Sequence, residues 1–293
     1  MQYMRENLPD DYGLLALQDK ILEIMVYVDK LCRENGIDYC LMGGSALGSK
    51  RHGGFIPWDD DLDIFMTPDQ YDRFRQVFEQ KADHDRFYLQ EWGKTDDMVT
   101  ISKVRMNHTT YLEDSFTDWD IHQGIYIDIF ILHVCPDNRL LQLHQCLWAK
   151  YVIMKGLAIR NYTGRGGFLG FCLKVMRLMP DRLLVRHGLR QVYRYRNKKT
   201  AHFCNFMGKA VFNNAIYPRA YFEKTVYAPF ETVELRVPEQ LHAFLSGRFG
   251  DYMKIPSPER IRREQHAQTW DTEQDFSHYV ACTAQFRDEA RLI

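Results

Sequence analysis

Residues Gly43–Ile64 read GGSALGSKRHGGFIPWDDDLDI. A Gly-Gly-Ser turn follows the apolar run Ile37–Met42 and leads into a short helix-compatible stretch. The segment closes on a predicted strand with carboxylates at alternate positions, Asp59, Asp61 and Asp63. Successive strand side chains point to opposite faces, so these three share one face while Asp60 and Leu62 take the other. Like charges side by side raise one another's pKa and weaken a fold unless a cation sits among them. Hard divalent ions meet that need, because Mg²⁺ takes one or two protein carboxylates together with substrate phosphates. The pattern predicts a site for Mg²⁺, or Mn²⁺, on Asp61 and Asp63. At the preceding strand–turn–helix junction, Gly43, Gly44 and Ser45 would let a ligand approach the backbone and free N–H groups hold phosphate oxygens. Ser45 suits the helix N-cap, and a plain capping turn is the alternative reading.

Outward from this stretch, Leu14–Asn35 has the three-four apolar spacing of a helix, ended by Gly36. Thr67–Gln80 predicts a second helix, and Phe87–Trp92 and Thr100–Met106 predict strands, an alternation that gives a mixed α/β sheet. Ile125–Leu132 reads IYIDIFIL, an apolar run with one carboxylate inside it. A lone carboxylate within a sheet is costly, so Asp128 is expected to complete the acidic site, with a buried structural hydrogen bond as the alternative. Lys103 and Arg105, two apart, share a face; taken alone they fit a solvated edge strand. Arg51 would meet a substrate phosphate or neutralise the Asp cluster, and His52 is too isolated to be read as a metal ligand.

Gly43–Ile64 resembles the signature of the LicD family, which is shared with fukutin and fukutin-related protein and belongs to the nucleotidyltransferase fold superfamily. The resemblance extends to Leu14–Asn35, with Gln18 and Cys32, to ISKVRMNHTTY at 101–111, IYIDIF at 125–130 and FGDYMKIPSPERIRREQH at 249–266. It covers residues 14–133 and 217–266. It implies an α/β (α+β) fold, a nucleotidyltransferase-like mixed sheet flanked by helices, with Lys103 and Arg105 bordering the phosphates and a carboxylate at Asp128. It also implies transfer of phosphocholine, or a similar substituted phosphate, from a CDP-linked donor to a cell-surface glycan or its lipid-linked precursor. In that chemistry Asp61, Asp63 and Asp128 hold metal, Asp128 takes the acceptor proton, and Gly44 and Ser45 hold donor phosphates. Where the family often reads Pro-Leu-Asp, this chain has Ile131-Leu132-His133. Transfer of an NMP, transfer of ribitol phosphate, and a non-catalytic glycan- or membrane-binding module stay open as alternatives.

The 293 residues, 45% of them hydrophobic and 14% aromatic, are enough for a sizeable core. No apolar run reaches the roughly 18 residues that span a bilayer, and the N-terminus lacks a signal-peptide core, so a cytoplasmic protein is expected. Seven scattered cysteines without a Cys-x-x-Cys pair argue for reduced thiols and against zinc. The net charge of −1 hides an asymmetry: residues 155–209 hold thirteen Lys or Arg against one acid, Asp181. The chain is accordingly divided into a catalytic core (1–139), a basic helical insertion (140–216) and a segment closing the cleft (217–293). In the last, Arg262 and His266 are read as substrate contacts or as structural. Within the insertion, aliphatic and aromatic residues interleave with Lys and Arg. That mixture suits core packing or an interfacial helix on anionic membrane, at its inner face. No nucleic-acid module accompanies the charge.

Overall fold

The computed structural model describes residues 10–91, 101–112, 121–159, 167–178, 182–208, 210, 212–261 and 269–279. Helix α1 (Leu15–Glu34) buries Leu17, Ile21, Ile24, Met25, Val28 and Leu31, the stripe its spacing predicts. Fully burying such a side chain is worth about 1.5–3 kcal/mol, so this one face anchors the helix. Gly36, at φ +61°, turns the chain out of it.

The stripe packs on a mixed five-stranded sheet made from β1 (Cys40–Leu41), β2 (Asp63–Met66), β3 (Phe87–Gln90), β4 (Ser102–Met106) and β6 (Tyr126–Ile131), β5 (Thr110–Leu112) lying outside it. Spatial order is β1-β2-β6-β4-β3. The β2–β6 pair is parallel and the other pairs are antiparallel. Helices α2 (Gly43–His52) and α3 (Pro68–Lys81) follow β1 and β2 in the chain. Pro68 at the start of α3 fits the expected helix opening.

Two expectations change here. The predicted acidic strand is shorter than its pattern: the ladder begins at Asp63, and Asp59 and Asp61 precede it. A turn forms instead, in which the Asp59 N–H donates to Ile56 O at 2.9 Å. The in-out alternation nevertheless persists, with Asp60 and Leu62 buried and Asp59, Asp61 and Asp63 half-buried. The edge-strand reading of Lys103 and Arg105 is also replaced, because β4 lies between β6 and β3 and is buried along its length.

A second sheet joins β7 (His133–Cys135), β8 (His202–Cys204) and β9 (Ile216–Pro218), all antiparallel. Between β7 and β8 run α4 (Arg139–Ile159), α5 (Gly167–Leu178) and α6 (Arg182–Val192). The basic region is therefore helical only as far as Val192, and its end is built into a sheet. The hairpin β10 (Thr225–Phe230) and β11 (Val233–Pro238) and helix α7 (Leu241–Phe249) then return to the core, where Phe65, Tyr217, Phe222 and Phe244 form an aromatic cluster. After α8 (Pro258–Ile261), strand β12 (Thr269–Asp271) pairs with β5. The six described cysteines are free thiols. Among the described residues no helix is long and apolar enough to cross a membrane.

Candidate active site

The acidic site is built at the start of β2. The Asp63 carbonyl accepts from Met42 N–H at 3.0 Å, and its own N–H donates to Ser45 Oγ at 2.8 Å. Ser45 thus ties α2 to the acidic strand and does not cap its own helix, whose N-cap is Met42 without a side-chain bond. The paired glycines make room for carboxylates. A Cβ on Gly43, which sits at φ +52°, would stand 3.4 Å from Asp63 Oδ2, and one on Gly44 would stand 2.6 Å from Asp59 Oδ2. Gly44 therefore admits the Asp59 carboxylate to the first turn of α2, the positive end of the helix dipole.

Across the sheet, Asp128 is in direct register with Asp63 on one side and with Lys103 on the other. Lys103 Nζ donates to Asp128 Oδ1 at 2.8 Å and lies 3.4 Å from the Tyr126 ring centroid. Arg105 shares that ring at 4.8 Å. Its Nε donates to Gln90 Oε1 at 2.6 Å and its Nη1 to Gly124 O at 2.8 Å. Of the predicted basic pair, Lys103 is thus placed on Asp128, and Arg105 makes buried bonds to Gln90 and Gly124.

Asp63 Oδ1 is fully enclosed and has no hydrogen-bond partner. Burial, and then the charges of Asp61, Asp128 and Asp59, hold its carboxyl well above the usual carboxylate range, with Lys103 acting in the opposite sense. An enclosed carboxylate oxygen without a partner, repelled by neighbouring carboxylates, fits a divalent cation. Among the described residues no three acidic, His or Cys side chains already close into a ligand cage. That is compatible with a Mg²⁺ site whose shell is finished by phosphate oxygens and water.

The other predicted residues have different surroundings. Arg51 Nη1 donates to Tyr252 O at 2.9 Å, tying α2 to the segment after α7. His52 is buried, and desolvation followed by the neighbouring Arg51 charge lowers its pKa to about 4, so it is neutral. His133 opens β7, buried edge-on to Tyr193 at 4.6 Å, and burial lowers its pKa to about 3. An uncharged imidazole therefore occupies the position where the resemblance leads one to expect an acid. Arg262 and His266 lie outside the described residues.

Two residues have supporting roles that sequence reasoning missed. Gln18 Nε2, from the buried face of α1, donates to Ile56 O at 3.2 Å and to Asp59 O at 2.7 Å, clamping the turn that carries the acids. Its signal was a polar residue among the apolar positions of the helix stripe. Glu231, at the β10–β11 tip with φ +54°, accepts from Phe55 N–H at 2.8 Å, and its own N–H donates to Gly53 O at 2.7 Å. Nothing in the local sequence distinguishes it from an ordinary turn residue.

Residues 36–154 match the LicD/FKTN/FKRP family, nucleotidyltransferase domain. Over 264 residues the chain is 26% identical to the lipopolysaccharide cholinephosphotransferase LicD of Haemophilus influenzae, covering 84% of this chain and 93% of that protein. Shorter similarities reach uncharacterized proteins of Rickettsia typhi, 32% over 75 residues and 24% of either chain, and Rickettsia prowazekii, 35% over 60 residues, or 20% of this chain and 23% of that one. The matched domain contains the Gly-Gly-Ser turn, the acidic run, Lys103 and Asp128, and the long alignment runs through most of the chain. Residues 36–154 thus match the nucleotidyltransferase domain of the LicD/FKTN/FKRP family, and most of the chain is similar to a LicD protein.

Proposed function

We propose that this transferase of phosphorus-containing groups moves a substituted phosphate, phosphocholine or a close analogue, from a CDP-linked donor to a hydroxyl of a cell-surface glycan or its lipid-linked precursor. The observation that carries the reading is the enclosed Asp63 Oδ1, without a partner and repelled by three neighbouring carboxylates. The similarity to a lipopolysaccharide cholinephosphotransferase supports the choice of transferred group and acceptor.

Asp61, Asp63 and Asp128 would hold Mg²⁺ or Mn²⁺, which when bound would shield phosphate charge and stabilise the leaving oxygen. The chain's own groups supply the rest. Gly43, Gly44 and Ser45 keep the first turn of α2 beside the acids, where its N–H groups attract donor phosphate oxygens. Lys103 adds a cation beside Asp128 for charge that develops on the phosphate. Asp128, in direct register with Asp63, takes the proton of the acceptor hydroxyl. The basic segment would bring the enzyme to the anionic inner face of the membrane, where a lipid-linked acceptor resides.

The test is incubation with a panel of CDP-linked donors and Mg²⁺, following the products by mass. Release of CMP with consumption of one donor is expected. Release of diphosphate from a nucleoside triphosphate, with NMP joined to the acceptor, would replace this reading with nucleotidyl transfer.

A further inference from the structure

On α5, Phe168, Phe171, Val175 and Leu178 are 82, 64, 44 and 87% exposed. Their spacing of three, four and three residues places them on one helix face. The helix is docked by another side, where Leu173 is fully buried. Single exposed apolar residues are ordinary on a soluble protein, whereas a contiguous stripe of large ones marks a surface that is covered in use.

The neighbourhood indicates what covers it. Lys174 and Arg177 are exposed on the same helix. On α6, Leu183 is 81% exposed, and Arg186 and Arg190, three and seven residues on, are exposed on the same face. Some of the segment's cations are used internally: Arg196 pairs with Asp69 at 2.5 Å and Asp72 at 2.7 Å, and the buried Lys155 donates to Met176 O. Those on the exposed face of α6 are not among them. A second copy of this chain would bring like charge against like. A soluble acidic partner would account for the arginines and leave the phenylalanines unexplained. An anionic bilayer takes both, aliphatic and aromatic groups entering the acyl boundary and cations resting among headgroups. At twelve residues α5 is too short to span and long enough to lie in the interface.

We propose that α5 inserts its Phe168–Leu178 stripe into the interface of an anionic lipid bilayer, with Arg186 and Arg190 of α6 held at the headgroups. This rests on the proposed membrane contact and adds to it: the protein enters the lipid and does not merely adsorb by charge.

The experiment is cosedimentation of the full-length protein with vesicles of phosphatidylcholine alone or mixed with phosphatidylglycerol, at low and high salt. The parent is expected to bind the mixed vesicles, with part of the binding surviving 1 M salt, where the Debye length is about 3 Å. The triple variant Phe168→Ser, Phe171→Ser, Leu178→Ser should lose about tenfold or more in partitioning and all of the salt-resistant part. Arg186→Glu with Arg190→Glu should lose the salt-sensitive part. A separate variant, Phe171→Trp, should show a blue-shifted emission increment over the parent on mixed vesicles, so the inference stays testable if the triple variant fails to fold. It is overturned if the triple variant binds as the parent does, if the emission increment of the Phe171→Trp variant stays unshifted, if the parent ignores mixed vesicles, or if light scattering shows a dimer that the triple variant dissociates. Donor consumption in the absence of vesicles is measured alongside. Its loss in the parent would defeat the proposed reaction and leave the vesicle results standing.

Discussion

Asp63 and Asp128 face each other in direct register across the parallel β2–β6 pair, and Lys103 continues the same rung from β4. One cation therefore serves two carboxylates, with Asp61 and Asp59 adding further negative charge to Asp63. The fold holds this imbalance in a buried place.

Asp63→Asn should therefore stabilise the metal-free protein while abolishing transfer. Removing a buried, repelled charge is expected to gain about 1 kcal/mol or more, a rise in melting temperature of roughly 2–4 °C for a chain of this size. The parent should gain stability from added Mg²⁺, and the variant should gain little. A variant that is both less stable and active would contradict the site.

The Lys103–Asp128 pair behaves in the opposite way. Lys103→Met leaves two carboxylates without their shared cation and should cost about 3 kcal/mol, whereas Lys103→Met combined with Asp128→Asn should recover a good part of that loss. Chemical denaturation of the two singles and the double measures the coupling. Additive costs would show that the pair does not act as a unit.

Gly44→Ala tests why two glycines open α2. Its Cβ would meet Asp59 Oδ2 at 2.6 Å, so the acid must move, and transfer should fall about tenfold or more with little change in melting temperature. Gly247→Ala is the control, since nothing lies within 4 Å of a Cβ at that position.

Gln18→Leu removes the donor to Ile56 O and Asp59 O. Leaving these carbonyls without that partner should cost about 1–3 kcal/mol. The turn carrying Asp59 and Asp61 should loosen, lowering kcat more than it raises KM for the donor. An unchanged kcat would confine Gln18 to a packing role.

Acid should destabilise the protein through its buried histidines. Desolvation, with Arg105 adding to it, lowers the pKa of His122 to about 3, and burial lowers that of His133 to about 3. His122 uses both ring nitrogens in the neutral form: Nδ1 accepts from Gly124 N–H at 3.1 Å and Nε2 donates to Asn107 Oδ1 at 2.9 Å. A depressed folded pKa means the unfolded chain binds more protons below about pH 6.5. Stability is thus full above that value and falls as pH drops towards 3, by about 1.4 kcal/mol per pH unit for each proton taken up. His122→Gln should flatten the slope of melting temperature against pH.

Most of this arrangement could be read from residue order. The α1 stripe, the buried β6 strand and the in-out alternation of Asp60 to Asp63 are periodic, and period survives without coordinates. The extent of the acidic strand was not legible, because Gln18 lies 38 residues before Ile56 and forms the 56–59 turn by a tertiary bond. Ser45 was misread for a similar reason. A serine at a helix start ordinarily caps its own helix, and here the Asp63 N–H, eighteen residues on, claims its oxygen. Lys103 and Arg105 looked like an exposed pair because strand order, which buries them, is a property of the whole sheet. The resemblance implies a place beside phosphate for both, and in the fold Lys103 bonds Asp128 while Arg105 bonds Gln90 and Gly124.

The rung Cys135↔His202 closes a ladder from which the chain departs after β7 and to which it returns at β8. Asp137 Oδ1 secures the doorway by accepting from Ala201 N–H at 2.9 Å and contacting His202 Nδ1 at 2.8 Å. Helices α4 to α6 thus hang from the base of what is otherwise a β-hairpin, as an inserted cassette. A tight turn between residues 135 and 202 would close the same rung without them. The acidic rung of β2, β6 and β4 owes none of its ladder bonds to that cassette. Such a design lets the hanging helices be exchanged or resurfaced by inheritance while the acidic rung passes on unchanged.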